Sequence, residues 1–248
     1  MESASGTTGT LFLIATPIGN LEDLTYRAAR ILGEVEVLAC EDTRMTRRIF
    51  ERYSIPSPRT IFSYHEHNET QGGKRILGLL EQGTDVALCT DGGFPGISDP
   101  GYRIIAACHE RGLRTEVIPG PSAVPTALLA SGLPSSSYTF KGFPPRKSGQ
   151  RQRFMAMEAE LPHTLIVFES PFRIGAFLAD AHIALGNRRA AVCIELTKKF
   201  EHIHHGHLAD LAQVFEKRKV KGEITVVIAG NNPKFTGEEP ALSRDEEE

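Results

Sequence analysis

Long hydrophobic runs are missing from this 248-residue chain. The most apolar stretches, LFLIA and TVVIA, are far shorter than the roughly 20 residues that cross a bilayer, so no membrane span is expected. An export signal is missing too. MESASGTTGT has neither a basic n-region nor an apolar core, so cytoplasmic residence is expected. Cysteine is scarce: Cys40, Cys89, Cys108 and Cys193 stand far apart, mostly in apolar surroundings, and form no CxxC pair. That pattern favours reduced core thiols over disulfides or zinc. Strong charge of either sign is absent, with a net of −3. The segment 231–248 alone carries −4, leaving the rest of the chain at +1. Acidic, aperiodic and holding Pro and Gly, it reads as a disordered tail. Phosphate-cradling motifs are also missing. No GxxxxGK[ST] occurs, and Gly92, Gly93, Gly96 and Gly101 do not spell GxGxxG.

What is present is alternation. TLFLIAT, VEVLACE, TIFSYH, DVALCTD and RTEVIPG read as strands; between them LEDLTYRAARILGE, TRMTRRIFERY, GGKRILGLLEQG and PGYRIIAACHERG read as helices. Such a βα series predicts a mostly parallel sheet with helices on both faces. A Pro/Gly-rich stretch, IPGPSAVPTALLASGLP, then turns the chain, and a mixed α/β half follows. The strands there are SYTFKGF, HTLIVFES, RRAAVCIELTK and GEITVVIAG, with helices near 149–160, 172–185 and 207–219. The expected organisation is an N-terminal α/β domain over 9–120, a C-terminal α/β domain over 121–230, and the acidic tail.

Four strand exits carry proline or glycine: ATPIGN, CTDGGFPGISDPG, VIPGPSA and VFESPFR. Ligands of open α/β sheets sit beyond the carboxyl ends of strands, so the four loops point to one cleft. Asp91 would repel a pyrophosphate and suits a ligand with hydroxyl or ammonium donors.

ATPIGNLEDLTYRA, EDTR, DGGFPGISDPG, IPGPSA, KGFPPRKSGQR, FESPFR, ELTKKFE and KGE occur in a telling order. In these motifs the chain resembles the small-subunit ribosomal RNA methyltransferase I family of the tetrapyrrole methylase superfamily, the class III S-adenosylmethionine enzymes. The resemblance implies two α/β domains of tetrapyrrole methylase type with the cofactor cleft between them. It also implies 2′-O-methylation of a cytidine in 16S ribosomal RNA, and a homodimer. The cofactor, S-adenosylmethionine, would lie against Pro17, Asp91, Gly92, Gly93, Ser122, Ala123 and Phe168, with Lys221 and Gly222 beside it. Relatives usually read DAGTPGISDPG, and here Gly92 and Phe94 replace the alanine and threonine.

Alignment of the acceptor oxygen contributes most of the rate of such a transfer, and a general base adds about 10²- to 10⁴-fold. Glu169 and Lys198 are the catalytic candidates, the lysine needing a lowered pKa. Lys141, Arg146, Lys147, Arg151 and Arg153 form a basic run without an acid; Arg44, Arg47 and Arg48 form a second, and Arg173 lies in the FESPFR turn. Beside a methyltransferase cleft these are expected to meet RNA phosphates. Tyr64, His65 and His67 are candidates for base contacts, against core or surface roles. Glu41, Asp42 and Arg44 read equally well as a helix-cap network. The histidines of HIHHGH read as surface residues and no metal is expected. Two other functions stay open: a tetrapyrrole or other small-molecule methyltransferase, and an RNA-binding module without cofactor.

Overall fold

The computed structural model describes residues 8–235. Most of the expected tail, 236–248, lies outside the described residues; within 231–235 the chain makes one 3-10 turn, Pro233–Phe235. The chain divides into two compact units, one ending at Ser122 and the next starting at Ala123.

The first unit is a parallel sheet. Its elements are β1 (Thr10–Ile14), α1 (Tyr26–Glu34), β2 (Val37–Cys40), α2 (Thr43–Tyr53), β3 (Thr60–Ser63), α3 (Glu69–Glu81), β4 (Val86–Cys89), α4 (Tyr102–Glu110) and β5 (Arg114–Ile118). The strand order is β3-β2-β4-β1-β5, parallel throughout. Every residue of β2 and β4 is buried, the mark of strands covered on both faces. Alternate side chains serve separate cores, as the pleat requires. Leu11, Leu13, Val37, Ala39, Val86 and Leu88 meet Ile76, Leu80 and Ile104 of α3 and α4. Ile14, Leu38, Cys40, Ala87 and Cys89 meet Ala28, Ile31, Leu32, Ile49 and Phe50 of α1 and α2.

LEDLTYRAARILGE is not one helix. Leu21–Asp23 is a 3-10 turn capped by Asn20, and Thr25 restarts the chain as the cap of α1, its hydroxyl accepting from Ala28 N at 3.1 Å. The competing signal was the threonine, whose short hydroxyl favours a helix start over a helix interior.

The second unit holds α5 (Ala123–Ser131), β6 (Tyr138–Phe140), α6 (Ser148–Ala156), β7 (Thr164–Glu169), α7 (Ile174–Leu185), β8 (Arg189–Ile194), β9 (His202–His207), α8 (Leu208–Glu216) and β10 (Ile224–Ile228). Its sheet runs β6-β7-β10-β8-β9, with only β6 and β7 parallel. Residues 123–131, read from sequence as part of a turn, are helical. Pro125 falls at the third helical position, where the missing N–H is one no helix uses. The core under α6, α7 and α8 joins Met155, Phe177, Leu178, Leu211 and Phe215 to Val167, Val192 and Val226.

Helices α7 and α8 meet at Gly175. A Cβ there would stand 2.7 Å from the carbonyl oxygen of Phe215 and 3.1 Å from its carbon, backbone that cannot swing away. Gly175→Ala should therefore force the helices apart and cost about 1–3 kcal/mol of overpacking. Urea unfolding of both proteins checks this; an unchanged midpoint would show that the two helices can slide.

Candidate functional site

Three of the four glycine- and proline-bearing exits lie side by side. They follow β4, β1 and β5, neighbours in a parallel sheet, so their loops leave from one edge. Thr16 and Gly93 exchange two backbone hydrogen bonds, each 2.9 Å, and the Thr16 hydroxyl donates to Thr90 O at 2.8 Å. Gly93 takes φ +86, a conformation side chains rarely adopt. Gly92 faces the neighbouring loop closely: a Cβ on it would stand 3.3 Å from Ile18 Cα and 3.4 Å from Pro17 O. The third loop is tied in by Ala15 N, which donates to Ile118 O at 3.2 Å, while Gly120 leaves no room beyond the Ala15 Cβ at 3.0 Å. Pro17, Asp91, Gly92, Gly93 and Ser122 thus belong to one clamped set of loops. Ala123, Phe168 and Gly222 belong to the second unit.

Acidic side chains surround the β4 exit. Asp91 N donates to Glu41 Oε2 at 3.3 Å, and Asp42 N donates to Asp91 Oδ1 at 3.1 Å. Asp42 also caps α2 through Arg44 N at 2.8 Å, so the cap reading of EDTR holds for this residue. Hydrogen bonds from Arg44 hold the Asp42 carboxyl down at about 2. The Thr90 hydroxyl, at the root of this loop, is buried and has no hydrogen-bond partner. A buried polar atom left unmatched at a strand exit is a group that a ligand can satisfy.

The fourth exit, after β7, is a locked turn in the second unit. Glu169 is buried, and its Oε1 accepts from Ser170 N and from Arg173, both at 2.6 Å. Its Oε2 is buried without a partner. Burial pushes its pKa up against the opposing hydrogen bond of Ser170 and charge of Arg173, which is the direction a general base near neutrality needs. Lys198 goes the other way. Burial alone would lower it, but Glu195 at 2.8 Å and Glu223 at 2.9 Å outweigh that and hold the ammonium protonated. The expectation of a lysine base is corrected: this ammonium does not give up its proton readily. Gly222, φ +90, is occupied from within. A Cβ there would meet the Glu195 carboxylate at 2.2 Å.

The basic run is split by burial. Arg151 is buried; its guanidinium pairs with Asp180, donates to Arg146 O at 3.0 Å and faces no solvent. Lys141 donates to Glu158 at 2.7 Å and lies over the Phe154 ring. Both are structural, against the expectation that they meet RNA. Acids distant in sequence, Asp180 and Glu158, supply what the run itself lacks. Arg146, Lys147 and Arg153 are exposed, as are Arg44, Arg47 and Arg48. Arg173 is mostly covered, held by Glu169 and reaching Pro144 O at 3.4 Å.

Tyr64 is fully buried, with its hydroxyl on Glu69 at 3.2 Å, so of the roles weighed for it the core one holds, while His67 is exposed. His204 packs edge-on against Phe215 at 5.2 Å instead of facing solvent, and burial lowers its pKa. No cluster of three or more ligating side chains that could hold a metal occurs among the described residues.

Residues 10–212 match the family described as Tetrapyrrole (Corrin/Porphyrin) Methylases. Ribosomal RNA small subunit methyltransferase I of Halalkalibacterium halodurans is 42% identical over 231 residues, covering 93% of this chain and 79% of the relative. The protein of the same name from Mesorhizobium japonicum is 46% identical over 234 residues, covering 93% and 78%. This chain belongs to the ribosomal RNA small subunit methyltransferase I family. It is thus a methyltransferase of the tetrapyrrole methylase class. Its fold is shared with uroporphyrin-III C-methyltransferase from Thermus thermophilus, solved with S-adenosyl homocysteine: TM-score 0.63, 21% identity, 89% of this chain and 97% of that one.

The burial of Arg151 generates a stability test. Burial raises the Asp180 pKa, but hydrogen bonds from Gln152, Ser148 and Arg151 outweigh it, and the net shift is downward. A depressed carboxyl pKa means stability that is present above the unfolded value, near 3.9, and lost as pH falls through the folded one. Asp180→Ala strands a buried guanidinium and should cost about 3–5 kcal/mol at pH 7. The gap from the parent protein should narrow below about pH 4. Denaturant midpoints across pH check both; a gap that does not change with pH would contradict the assignment.

Proposed function

We propose that this protein transfers a methyl group from S-adenosylmethionine to the ribose 2′-oxygen of a cytidine in small-subunit ribosomal RNA. The observation that carries the reading is the clamped set of loops at the carboxyl edge of the parallel sheet, in a chain of this family. The loops fit a compact cationic cofactor. Gly93 closes the clamp in a backbone conformation that side chains rarely adopt, Asp91 supplies negative charge for an ammonium or hydroxyl donor, and the Thr90 hydroxyl lacks a partner. Pro17, Asp91, Gly92, Gly93 and Ser122 would hold it. When bound, S-adenosylmethionine supplies a methyl group already activated by its sulfonium.

The protein's own share of the reaction is then positioning and proton handling. Holding a hydroxyl in line at a near-attack distance is a large effect, whereas a base contributes a smaller one. Glu169, with its raised pKa and one unpartnered oxygen, is the base candidate that survives; Lys198 is a fixed positive charge. Arg146, Lys147 and Arg153 supply phosphate contacts, and Arg44, Arg47 and Arg48 a second patch. We place the protein in the cytoplasm as a homodimer, the latter checked by its mass in light scattering.

The cofactor arm is tested with Gly93→Val. A branched side chain at φ +86 strains the Thr16–Gly93 pair that clamps the two loops, and S-adenosylmethionine affinity should fall tenfold or more, about 1.4 kcal/mol. Calorimetry measures this, with circular dichroism to confirm folding. Unchanged affinity in a folded variant overturns the site.

The RNA arm is tested with Arg146, Lys147 and Arg153 changed to Ala together. RNA affinity should fall, and the logarithmic salt slope should shrink by about 0.7–0.9 per lost phosphate contact, with S-adenosylmethionine affinity unmoved. A variant with the parent's affinity and slope would turn the substrate search towards small molecules. Mapping ribose methylation on small-subunit RNA treated with the protein settles the nucleotide.

A further inference from the structure

We infer that Phe172, with Phe143 beside the same basic loop, is a stacking platform for unpaired bases of the RNA substrate. The inference rests on the RNA reading above and adds the residues that would grip bases where the arginines grip phosphates.

Phe172 is 94% exposed, close to the maximum for a phenylalanine. A single exposed apolar residue is ordinary. This one differs in how it is held. Its own N–H donates to the Ser170 hydroxyl at 3.3 Å, Arg173 N donates to Ser170 O at 3.0 Å, and Ser170 N donates to the buried Glu169. The Arg173 guanidinium then bonds Glu169 on one side and Pro144 O on the other. The turn is fixed at both ends, yet the ring it carries packs against almost nothing.

The bond to Pro144 also places the turn beside the loop that holds the exposed cations. Residue 143 is the next aromatic in that loop. Phe143 is 57% exposed, and its inner edge rests on Phe168 at 5.6 Å, which in turn packs on Phe140 at 4.8 Å. Phe168 N donates to Gly142 O at 2.9 Å, tying this loop to the end of β7. A ring braced from behind and open in front keeps its face available. Arg146, Lys147 and Arg153 follow within ten residues, all exposed, and no acid lies between 141 and 153.

Aromatic rings interleaved with cations on fixed loops match single-stranded nucleic acid. Bases stack on the rings whatever their identity, and the cations track the backbone. A peptide partner would be an equally apolar occupant, but it offers no reason for an acid-free basic border. A second copy of the chain would have to bring three like-charged groups together across its own interface.

The chain contains no tryptophan, which makes the test direct. Phe172→Trp installs a sole indole at the platform, and a single-stranded 12-nucleotide RNA carrying an end label reports its own binding by anisotropy. Saturable quenching of the indole that tracks the anisotropy is the expected result. Phe172→Ala should weaken RNA binding about tenfold, Phe172→Tyr should restore it, and S-adenosylmethionine affinity should not move. RNA bound without quenching, or Phe172→Ala with the parent's RNA affinity, overturns the platform and leaves the RNA reading intact. A fall in particle mass on Phe172→Ala would assign the ring to contact between copies and overturn the platform likewise. No RNA binding by the parent protein overturns both the platform and the RNA reading.

Discussion

Two hydrogen bonds between Thr16 and Gly93 set the shape of everything proposed for the first unit. Parallel strands deliver their loops to one edge, but loops rich in glycine lose much conformational entropy when fixed. The reciprocal Thr16–Gly93 pair, with the Thr16 hydroxyl on Thr90 O, offsets that cost by making the loops after β1 and β4 into a short ladder of their own. Only a residue tolerant of φ +86 can close it, which is why a glycine stands at 93. The neighbouring Gly92 is a different case. Its φ is unremarkable, and a Cβ there would press on Ile18 Cα at 3.3 Å, so its absence lets the two loops lie this close.

Buried charge decides which cations are available to a partner. The run from Lys141 to Arg153 looks uniform as a string, yet Arg151 and Lys141 are consumed by Asp180 and Glu158. An unpaired guanidinium inside the core would be costly, and in this run the two covered cations are each matched by an acid. The consequence is that three exposed cations remain, Arg146, Lys147 and Arg153, alternating with side chains that anchor the segment. Anchoring and exposed charge thus share one short stretch.

The parts legible in the sequence were those set by local period and by motif. TRMTRRIFERY is helical from its first residue to its last, because its apolar positions and the Asp42 cap agree. The alternating βα series is a parallel sheet, and VALC and VLAC are strands buried on both faces. Less legible were features that depend on distant partners. Nothing near Arg151 announces Asp180, and nothing near Tyr64 announces that Gly72 would make room for its ring, with a Cβ there 2.7 Å from it. The helix from Ala123 was hidden by two prolines that read as breakers, although one stands where a helix tolerates it. Phe172 carried no signal at all: exposure on a locked turn is a property of the fold.

The strained segment after β8 shows why Lys198 is better understood as a strut than as a base. Glu195 and Thr197 both take left-handed backbone, φ 54 and 64, which costs non-glycine residues of order 1 kcal/mol each or more. Such strain persists only when the surroundings over-determine it. Here Glu195 accepts from Lys198 and from Glu223 N at 3.0 Å, Thr197 N donates to Glu201, and Gly222 vacates the space that the Glu195 carboxylate fills. One ammonium between two carboxylates leaves the cluster net negative, so it is a poor seat for a phosphate. Its charges spend their attraction on one another, although Glu223 remains exposed. What the cluster does achieve is to hold an otherwise unfavourable turn at the end of β8 against the start of β10. The carboxyl of Glu169 stands in the opposite balance, raised by burial against its hydrogen bonds and with one oxygen unmatched.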